Sequence, residues 1–210
     1  MNCMKSALSV TGKVLFVLVA MFALISSARA GTTTLQNMQT AFNGESNAHA
    51  RYLAFARQAD SEGYGKVASL FRAAARAEEI HAANHAVAIK ELGAVPQAQI
   101  ASPEVKSTRE NLNTAIKGEC YERDTMYPAF LAQARRDHNT GAVKSLNFAK
   151  TAEAEHAKLY AALLSDLDLL KGTKSVEFYV CPICGYTTRD ANLEKCPSCF
   201  TPKEKLERVA

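Results

Sequence analysis

The 210-residue sequence contains no tryptophan, and it has little net charge once its first thirty residues are set aside. Alanine-rich stretches from Ala41 to Ala88 and from Ala129 to Leu164 favour helix over strand. The length suits one helical domain with a sizeable core and one small appended module. We therefore expect an all-α body rather than a β-rich protein.

The excess of positive charge lies mostly at the N-terminus. Without Lys5, Lys13 and Arg29 the formal charge falls from +4 to +1, with 22 basic against 21 acidic residues. The rest of the chain intersperses acids and bases, as solvated helix faces usually do. We therefore expect no nucleic-acid partner.

No apolar run is long enough to cross a bilayer. The run from Val14 to Ile25 has 12 residues, whereas a membrane-spanning helix needs ~20. Lys5 and Lys13 precede this run, and the small-x-small tripeptide at residues 28–30 follows it, which is typical of a signal peptide. We expect residues 1–30 to be removed and the protein to be exported to the periplasm. A membrane anchor through an uncleaved signal is the alternative, and no other membrane contact is expected.

The period of the apolar residues predicts four helices. The first two lie between about Thr34 and Leu92 and separate near residue 63, where two glycines favour a turn. Two prolines prevent a helix across residues 93–107, and the second pair follows at about 108–137 and 141–170. Pro128 should kink the third helix or loosen its hydrogen bonds. Short loops within each pair and a long connection between helices 2 and 3 predict a ferritin-like four-helix bundle.

Acids and histidines recur at nearly the same spacing in the two halves. Glu45 corresponds to Glu119, and a Glu-x-x-His motif at residues 78–81 corresponds to another at 153–156, at offsets of 74 and 75 residues. Residues three apart on a helix share a face. A single such motif is more often part of a solvated face. Two at a matched offset, each accompanied by a glutamate on the preceding helix, indicate one shared interior site.

This site would place many polar groups inside the bundle. Even one unpaired buried carboxylate costs several kcal/mol, and a pair of metal ions would compensate for the whole set. Carboxylates suit hard ions and imidazole suits iron, which favours iron or manganese over zinc. The predicted ligands are Glu45, Glu78, His81, Glu119, Glu122, Glu153 and His156.

Four of the six cysteines cluster near the C-terminus, at Cys181, Cys184, Cys196 and Cys199. Two Cys-Pro-x-Cys hairpins are typical of a metal site, not of a disulfide framework. The segment from residue 176 to 210 is too small to fold around a core of its own, so a metal must hold it. The spacing sets the geometry but leaves iron and zinc open as the metal.

At these residues the sequence resembles the rubrerythrin family, over essentially the whole chain after residue 30. The resemblance implies a ferritin-like di-iron domain at residues 31–172 and a rubredoxin-like domain at 173–210. It implies an oxo-bridged pair of iron ions in the first and one iron in the four-cysteine site of the second. Phe200 stands where the second cysteine hairpin usually has glycine. If φ is positive there, phenylalanine costs on the order of 1 kcal/mol.

The resemblance also implies roles for single residues. Glu78 and Glu153 would bridge the irons, and Glu119 with His156 would bind one of them. Glu45 and Glu122 would bind the other, which exchanges Glu122 for His81 on reduction. The family places tyrosines near the site, and Tyr52 and Tyr127 are the matching positions. Ordinary buried aromatics with satisfied hydroxyls are the alternative for both.

The activity implied by the resemblance is that of a non-haem peroxidase in oxidative stress defence, which reduces hydrogen peroxide to water and is re-reduced through the four-cysteine iron. Iron oxidation for storage, as in ferritin-like cages, is the alternative, although a cage that stores iron needs no internal electron donor. A structural bundle with a zinc knuckle for partner binding is a third possibility, but it leaves the buried acids unexplained.

The resemblance suggests a homodimer in which the tail of one chain approaches the iron pair of its partner, although reach alone permits either arrangement. Export bears on the electron supply, because no NADH is available outside the cytoplasm. The electron donor would therefore be another periplasmic redox protein, which the sequence does not identify.

Overall fold

Two antiparallel helices form the first half of the molecule. The computed structural model describes residues 32–210, so the predicted signal peptide lies outside the described residues. Helix α1 spans Thr34–Ser61 and α2 spans Gly65–Glu91. A capping box between Thr33 and Gln36 begins α1. At the turn between the helices Gly63 has a φ of 80°, which glycine adopts without a Cβ clash.

The second half contains α3 (Thr108–Tyr121), a π-helical turn (Glu122–Met126), α4 (Tyr127–Arg136) and α5 (Thr140–Ser165). The Tyr127 N–H donates to the Glu122 carbonyl, five residues back. Pro128, which lacks an N–H, follows directly. The expected loosening of hydrogen bonds in the third helix is therefore confirmed, and it takes the form of a π turn.

The connection between the halves is held against α1 by side-chain amides. Gln39 binds the Val95 carbonyl at 2.7 Å, Asn43 accepts from the Gln99 N–H at 2.8 Å, and Asn47 accepts from the Ala101 N–H at 2.9 Å. These three amides are spaced four residues apart on one face of α1. The predicted crossover between helices 2 and 3 is confirmed.

Two clusters of buried apolar side chains fill the bundle. Along α1, α2 and α5, residues of one cluster come first, then the acids and histidines, and then residues of the other cluster. Helix α3 carries members of the first cluster and then Glu119, and α4 carries members of the other cluster. The polar groups therefore form a layer between two apolar cores, which fixes their depth in the bundle. Large members of one core are Tyr52, Phe55, Phe71, Leu112 and Tyr160, and of the other Met38, Ile89, Leu131 and Leu146.

The tail folds into a small sheet that docks on α2. Helix α5 ends one turn earlier than predicted, and a 3-10 turn follows at Leu167–Leu169. Strands β1 (Phe178–Val180), β2 (Thr187–Thr188) and β3 (Glu207–Val209) are antiparallel in the order β2-β1-β3, and a second 3-10 turn, Lys203–Lys205, precedes β3.

Within residues 32–210 no helix combines the length and the apolar character needed to cross a membrane.

Candidate metal centres

Helices α1, α2, α3 and α5 bring six of the predicted ligands together in the polar layer of the bundle. α1 supplies one carboxylate and α3 another, while α2 and α5 each supply a carboxylate and an imidazole from their Glu-x-x-His motifs. All six side chains are buried. They are Glu45, Glu78, His81, Glu119, Glu153 and His156.

Two of these carboxylates span a pair of positions. Glu78 places Oε2 at 2.8 Å from His81 Nδ1 and Oε1 at 3.5 Å from His156 Nδ1. Glu153 does the same, with Oε1 at 3.1 Å from His81 Nδ1 and Oε2 at 2.9 Å from His156 Nδ1. Each carboxylate therefore presents one oxygen to each histidine, which is the geometry of a bridge between two metal ions.

The ligand atoms form two groups, each with its atoms within 4.8 Å of one another. One group contains Glu119 and His156 together with the two bridging glutamates. The other contains Glu45 and His81 with the same bridging pair. Glu122, the first residue of the π turn, belongs to neither group and is partly exposed. The structure therefore has His81, not Glu122, beside Glu45.

Metal ions fit this site because its inward-facing atoms lack other partners. Among the described residues, buried oxygens of all four grouped glutamates and Nδ1 of His156 lie close to one another but do not have the geometry of a hydrogen bond. Buried polar groups are normally satisfied, so such a cluster requires a compensating ligand. Four carboxylates and two imidazoles form a donor set that suits iron. The unpartnered atoms are Glu45 Oε2, Glu78 Oε1, Glu119 Oε2, Glu153 Oε1, Glu153 Oε2 and His156 Nδ1.

The pKa values of these groups reflect burial and crowding of like charges. Burial raises the pKa of Glu119 to about 8, and the charge of Glu78 adds to this. Burial and the charge of Glu122 raise the pKa of Glu45. Although part of its surface is exposed, desolvation of the Glu122 carboxyl and the charge of Glu119 raise the pKa of Glu122. Burial opposes the charged form of His81, but the charge of Glu153 raises its pKa to about 10. The metal-free site therefore holds protons that binding metal ions would displace.

The outer nitrogens of both histidines contact the tail of the same chain. His81 Nε2 lies 3.1 Å from the carbonyl oxygen of Cys184, and His156 Nε2 lies 3.0 Å from Thr187 Oγ1. Thr187 Oγ1 donates its own hydrogen to Gly185, so it accepts from His156. Donation from Nε2 leaves each Nδ1 free for a metal ion, as is usual for histidine ligands.

The two predicted tyrosines both bind a grouped glutamate. Tyr52 donates to Glu119 Oε1 at 2.5 Å, and Tyr127 donates to Glu45 Oε1. Both side chains are fully buried.

The sequence interpretation missed one further buried group. His85 lies in contact with Tyr127 and Ser145. Burial and the charge of His81 lower the pKa of His85 to about 3, so its ring is neutral. The sequence could have indicated a place near the site for His85, because it lies four residues after His81 and therefore on the same face of α2.

The four predicted cysteines form a second cluster in the tail. Their sulfur atoms lie within 4.8 Å of one another, with Cys181 and Cys199 at 3.4 Å and Cys184 and Cys196 at 3.4 Å. A disulfide would need about 2.05 Å, whereas tetrahedral metal–sulfur bonds of about 2.3 Å place sulfurs close to these separations. The cluster therefore fits a single metal ion.

The two cysteine hairpins have the same backbone hydrogen bonds. Gly185 N–H donates to the Cys181 carbonyl at 2.9 Å, and Phe200 N–H donates to the Cys196 carbonyl at 2.8 Å. Gly185 has a φ of 75° and Phe200 a φ of 62°. Phe200 therefore has the positive φ on which its expected cost depends, at the position that glycine occupies in the first hairpin.

Comparisons with known proteins agree with both centres. A family model described as Rubrerythrin matches residues 36–164, and one described as Rubrerythrin, rubredoxin-like domain, matches residues 179–207. Nigerythrin from Nitratidesulfovibrio vulgaris is 40% identical over 173 residues, which is 82% of this chain and 84% of that protein. Rubrerythrin-2 from Clostridium acetobutylicum is 36% identical over 176 residues, or 83% and 95% of the two chains. A solved structure of fully reduced, all-ferrous nigerythrin matches with a TM-score of 0.79 and 38% identity, covering 88% of this chain and 91% of that one.

Proposed function

Because the chain belongs to the rubrerythrin family, we propose that it is a peroxidase that reduces hydrogen peroxide to water in its helical bundle. The fold is a ferritin-like bundle followed by a rubredoxin-like domain. The bundle residues form a di-iron site and the four cysteines a mononuclear iron site, as in the family. When bound, the iron pair would supply the two electrons that peroxide reduction consumes, and the tail iron would return them one at a time from an external electron donor.

One observation carries this proposal: the direct contact between the two centres. His81, a member of the bundle site, lies 3.1 Å from the backbone carbonyl of Cys184, a member of the tail site. Only one hydrogen bond therefore separates a ligand of one centre from a ligand of the other. An electron donor is useful to an enzyme that turns over repeatedly, whereas iron storage needs none.

The side chains of the bundle have distinct tasks in this proposal. Glu78 and Glu153 hold the two metal positions at a fixed spacing. In this proposal Glu122 and His81 are the alternative ligands on the Glu45 side. Tyr52 and Tyr127 hold hydroxyl protons against Glu119 and Glu45. Apolar cores lie on both sides of these side chains, which strengthens their electrostatic contacts.

The alternative is a ferritin-like iron-binding protein with ferroxidase activity. Both activities would use the same bundle ligands, so they differ in the rate with peroxide and in the need for the tail. Removal of the tail's iron should stop peroxide turnover after a single cycle but leave iron oxidation intact.

Stopped-flow absorbance tests the proposal directly. Anaerobically reduced full chain is mixed with hydrogen peroxide while the ferric-thiolate colour of the tail is followed. We expect the colour to appear rapidly, and to be lost in Glu78→Ala and Glu153→Ala, because these variants remove a bridging ligand. No colour, together with zinc bound to the four cysteines, would contradict the proposal.

We further propose that the protein is exported to the periplasm, forms a homodimer and takes electrons from another periplasmic redox protein. The signal-like residues 1–30 support export. Cell fractionation tests export, and light scattering of the purified chain tests the dimer. A chain found only in the cytoplasm would contradict the proposed location. An NADH-dependent reductase would then be a possible electron donor to the protein.

A further inference from the structure

We propose that Ser145, His85 and Tyr127 form a proton relay from a surface cavity to Glu45 of the bundle site. This inference rests on the proposed function, because reduction of one hydrogen peroxide to two waters consumes two protons with the two electrons. The site is enclosed by apolar cores on both sides, so its protons require a defined route.

The relay is a continuous chain of hydrogen bonds through the bundle interior. Ser145 Oγ lies 2.7 Å from His85 Nδ1, and His85 Nε2 lies 3.2 Å from the Tyr127 hydroxyl, which donates to Glu45 Oε1. These residues come from α5, α2, α4 and α1, so the chain crosses the bundle from one helix to the next. The other oxygen, Glu45 Oε2, has no hydrogen-bond partner and is available to a metal ion.

The donors in this chain all point the same way. Tyr127 uses its hydrogen on Glu45, so its oxygen accepts from His85 Nε2–H. A neutral imidazole that donates from Nε2 must accept at Nδ1, so the Ser145 hydroxyl donates to it. Every hydrogen therefore points toward Glu45. A relay needs this alignment, because each group passes one proton inward as it receives another.

The outer end of the chain opens to a cavity of about 160 Å³ beside α2 and α5. Ser145 lines this cavity and is 5% exposed, whereas His85 and Tyr127 are 0% exposed. Glu91 and Lys144 also line it and are exposed. A Cβ at position 141 would clash with the Glu91 carboxylate, so Gly141 leaves room for this acid beside the cavity. Solvent in the cavity and the Glu91 carboxylate therefore lie beside the Ser145 hydroxyl, which begins the relay.

The transfer conserves protons and charge. A water in the cavity gives a proton to Ser145 Oγ, whose own proton moves to His85 Nδ1. The proton on His85 Nε2 moves to Tyr127, and the Tyr127 proton moves to Glu45. Ser145, His85 and Tyr127 begin and end neutral. Glu45 passes this proton on to an oxygen of peroxide, and bulk buffer neutralises the hydroxide left in the cavity. One transfer leaves His85 with its proton on Nδ1, so His85 must regain the Nε2–H tautomer before the next. Two such cycles supply the two protons that accompany the two electrons.

A matched pair of variants at Ser145 distinguishes the effect of the hydroxyl group from the effect of side-chain shape. Ser145→Thr keeps the hydroxyl, and Ser145→Val has the shape of threonine with a methyl group in place of the hydroxyl. The full chain is loaded with zinc, which is diamagnetic and accepts the same ligand types. Nitrogen-15 NMR then reports the tautomer of His85 and the rate at which its Nε2–H exchanges with water.

We expect the Nε2–H tautomer in the wild type, with exchange slowed at least about tenfold in Ser145→Val and little changed in Ser145→Thr. Equal exchange rates in the two variants, or a proton on Nδ1 of His85 in the wild type, would overturn the relay. In the iron-loaded protein we expect Ser145→Val, but not Ser145→Thr, to slow peroxide turnover by a similar factor.

The two proposals fail in different ways. A wild type that does not turn over peroxide would contradict the proposed function, and with it the task of the relay, whatever the exchange rates are. Normal wild-type turnover with equal rates in Ser145→Val and Ser145→Thr would overturn the relay alone.

Discussion

At the scale of single residues, Gly185 controls how closely the tail approaches the bundle. A Cβ at this position would clash with His81 Nε2, and its φ of 75° also disfavours other residues. We expect Gly185→Ala to separate Cys184 from His81 and to slow the appearance of ferric-thiolate colour after peroxide by about tenfold or more.

A matched control for this variant is Gly172→Ala. Gly172 has a similar φ of 79°, but nothing lies within 4 Å of a Cβ there. It therefore tests the backbone cost without the clash. Equal kinetics in the two alanine variants would show that the contact with His81 does not govern electron transfer.

Phe200 is the other residue whose conformation matters to the tail. Its φ of 62° costs a side chain on the order of 1 kcal/mol, and its ring is 66% exposed, so little packing offsets this cost. We expect Phe200→Gly to slow loss of the tail metal to a chelator by up to about fivefold, equivalent to about 1 kcal/mol. Faster loss would show that the contact between the ring and Lys195 stabilises the hairpin more than the backbone strain weakens it.

At the scale of secondary-structure elements, the sequence predicted the helices well but not their local irregularities. Apolar periodicity placed the four helices, and Pro128 indicated a disturbance in the third. The form of that disturbance depends on which hydrogen bonds the neighbouring helices permit, so the π turn beginning at Glu122 could not be predicted. For the same reason the separation of Glu122 from the two ligand groups was not visible in the spacing of residues.

The docking of β3 on α2 should depend on pH. Arg76 donates to both oxygens of Glu207, at 2.7 and 2.9 Å. This hydrogen bonding lowers the pKa of Glu207 below its ordinary value of 4.5. A group whose pKa is lower in the folded state stabilises that state above its unfolded pKa. The contribution is therefore present above pH 4.5 and is lost as the pH falls through the lower folded value.

Glu207→Gln tests this dependence. Both side chains are more than a third exposed, so we expect a loss of at most about 1 kcal/mol at neutral pH. The difference from the wild type should shrink below pH 4.5 in thermal unfolding of the tail. Glu177→Gln is the control, because Glu177 only approaches Arg208 at 3.7 Å. A difference that does not change with pH, or an equal effect of the control, would contradict the role of the ion pair.

At the scale of the whole molecule, the sequence predicted the two centres separately but not their contact. Repeated Glu-x-x-His motifs and paired cysteines are local patterns, so spacing alone predicted both. The contact of His81 with Cys184 depends on how the tail docks along α2, and no local pattern encodes that docking. His85 and Ser145 are 60 residues apart in sequence, so their pairing likewise follows only from the packed bundle.

The tail and the bundle should differ sharply in their dependence on metal. The strands of the tail contain three, two and three residues, too few to bury a core of their own. Phe178 and Val180 of β1 pack into the first apolar core of the bundle, and the separate buried cluster of the tail consists of Cys181, Cys184 and Cys196. A structural metal site contributes on the order of 10 kcal/mol to such a fold. The bundle has two extended apolar cores that do not depend on an ion. Removal of one cysteine should therefore unfold the tail and leave the bundle folded.

Cys196→Ser tests this difference, with Ser198→Ala in the same hairpin as the control. We expect Cys196→Ser to lose the tail metal and to become sensitive to protease after residue 172, with little change in helical circular dichroism. Its bundle should still bind iron, because none of the bundle ligands lies in the tail. Loss of helix in Cys196→Ser would show instead that the docked tail is required to fold the bundle, and the contacts of His81 and His156 with Cys184 and Thr187 would then serve the fold as well as the site.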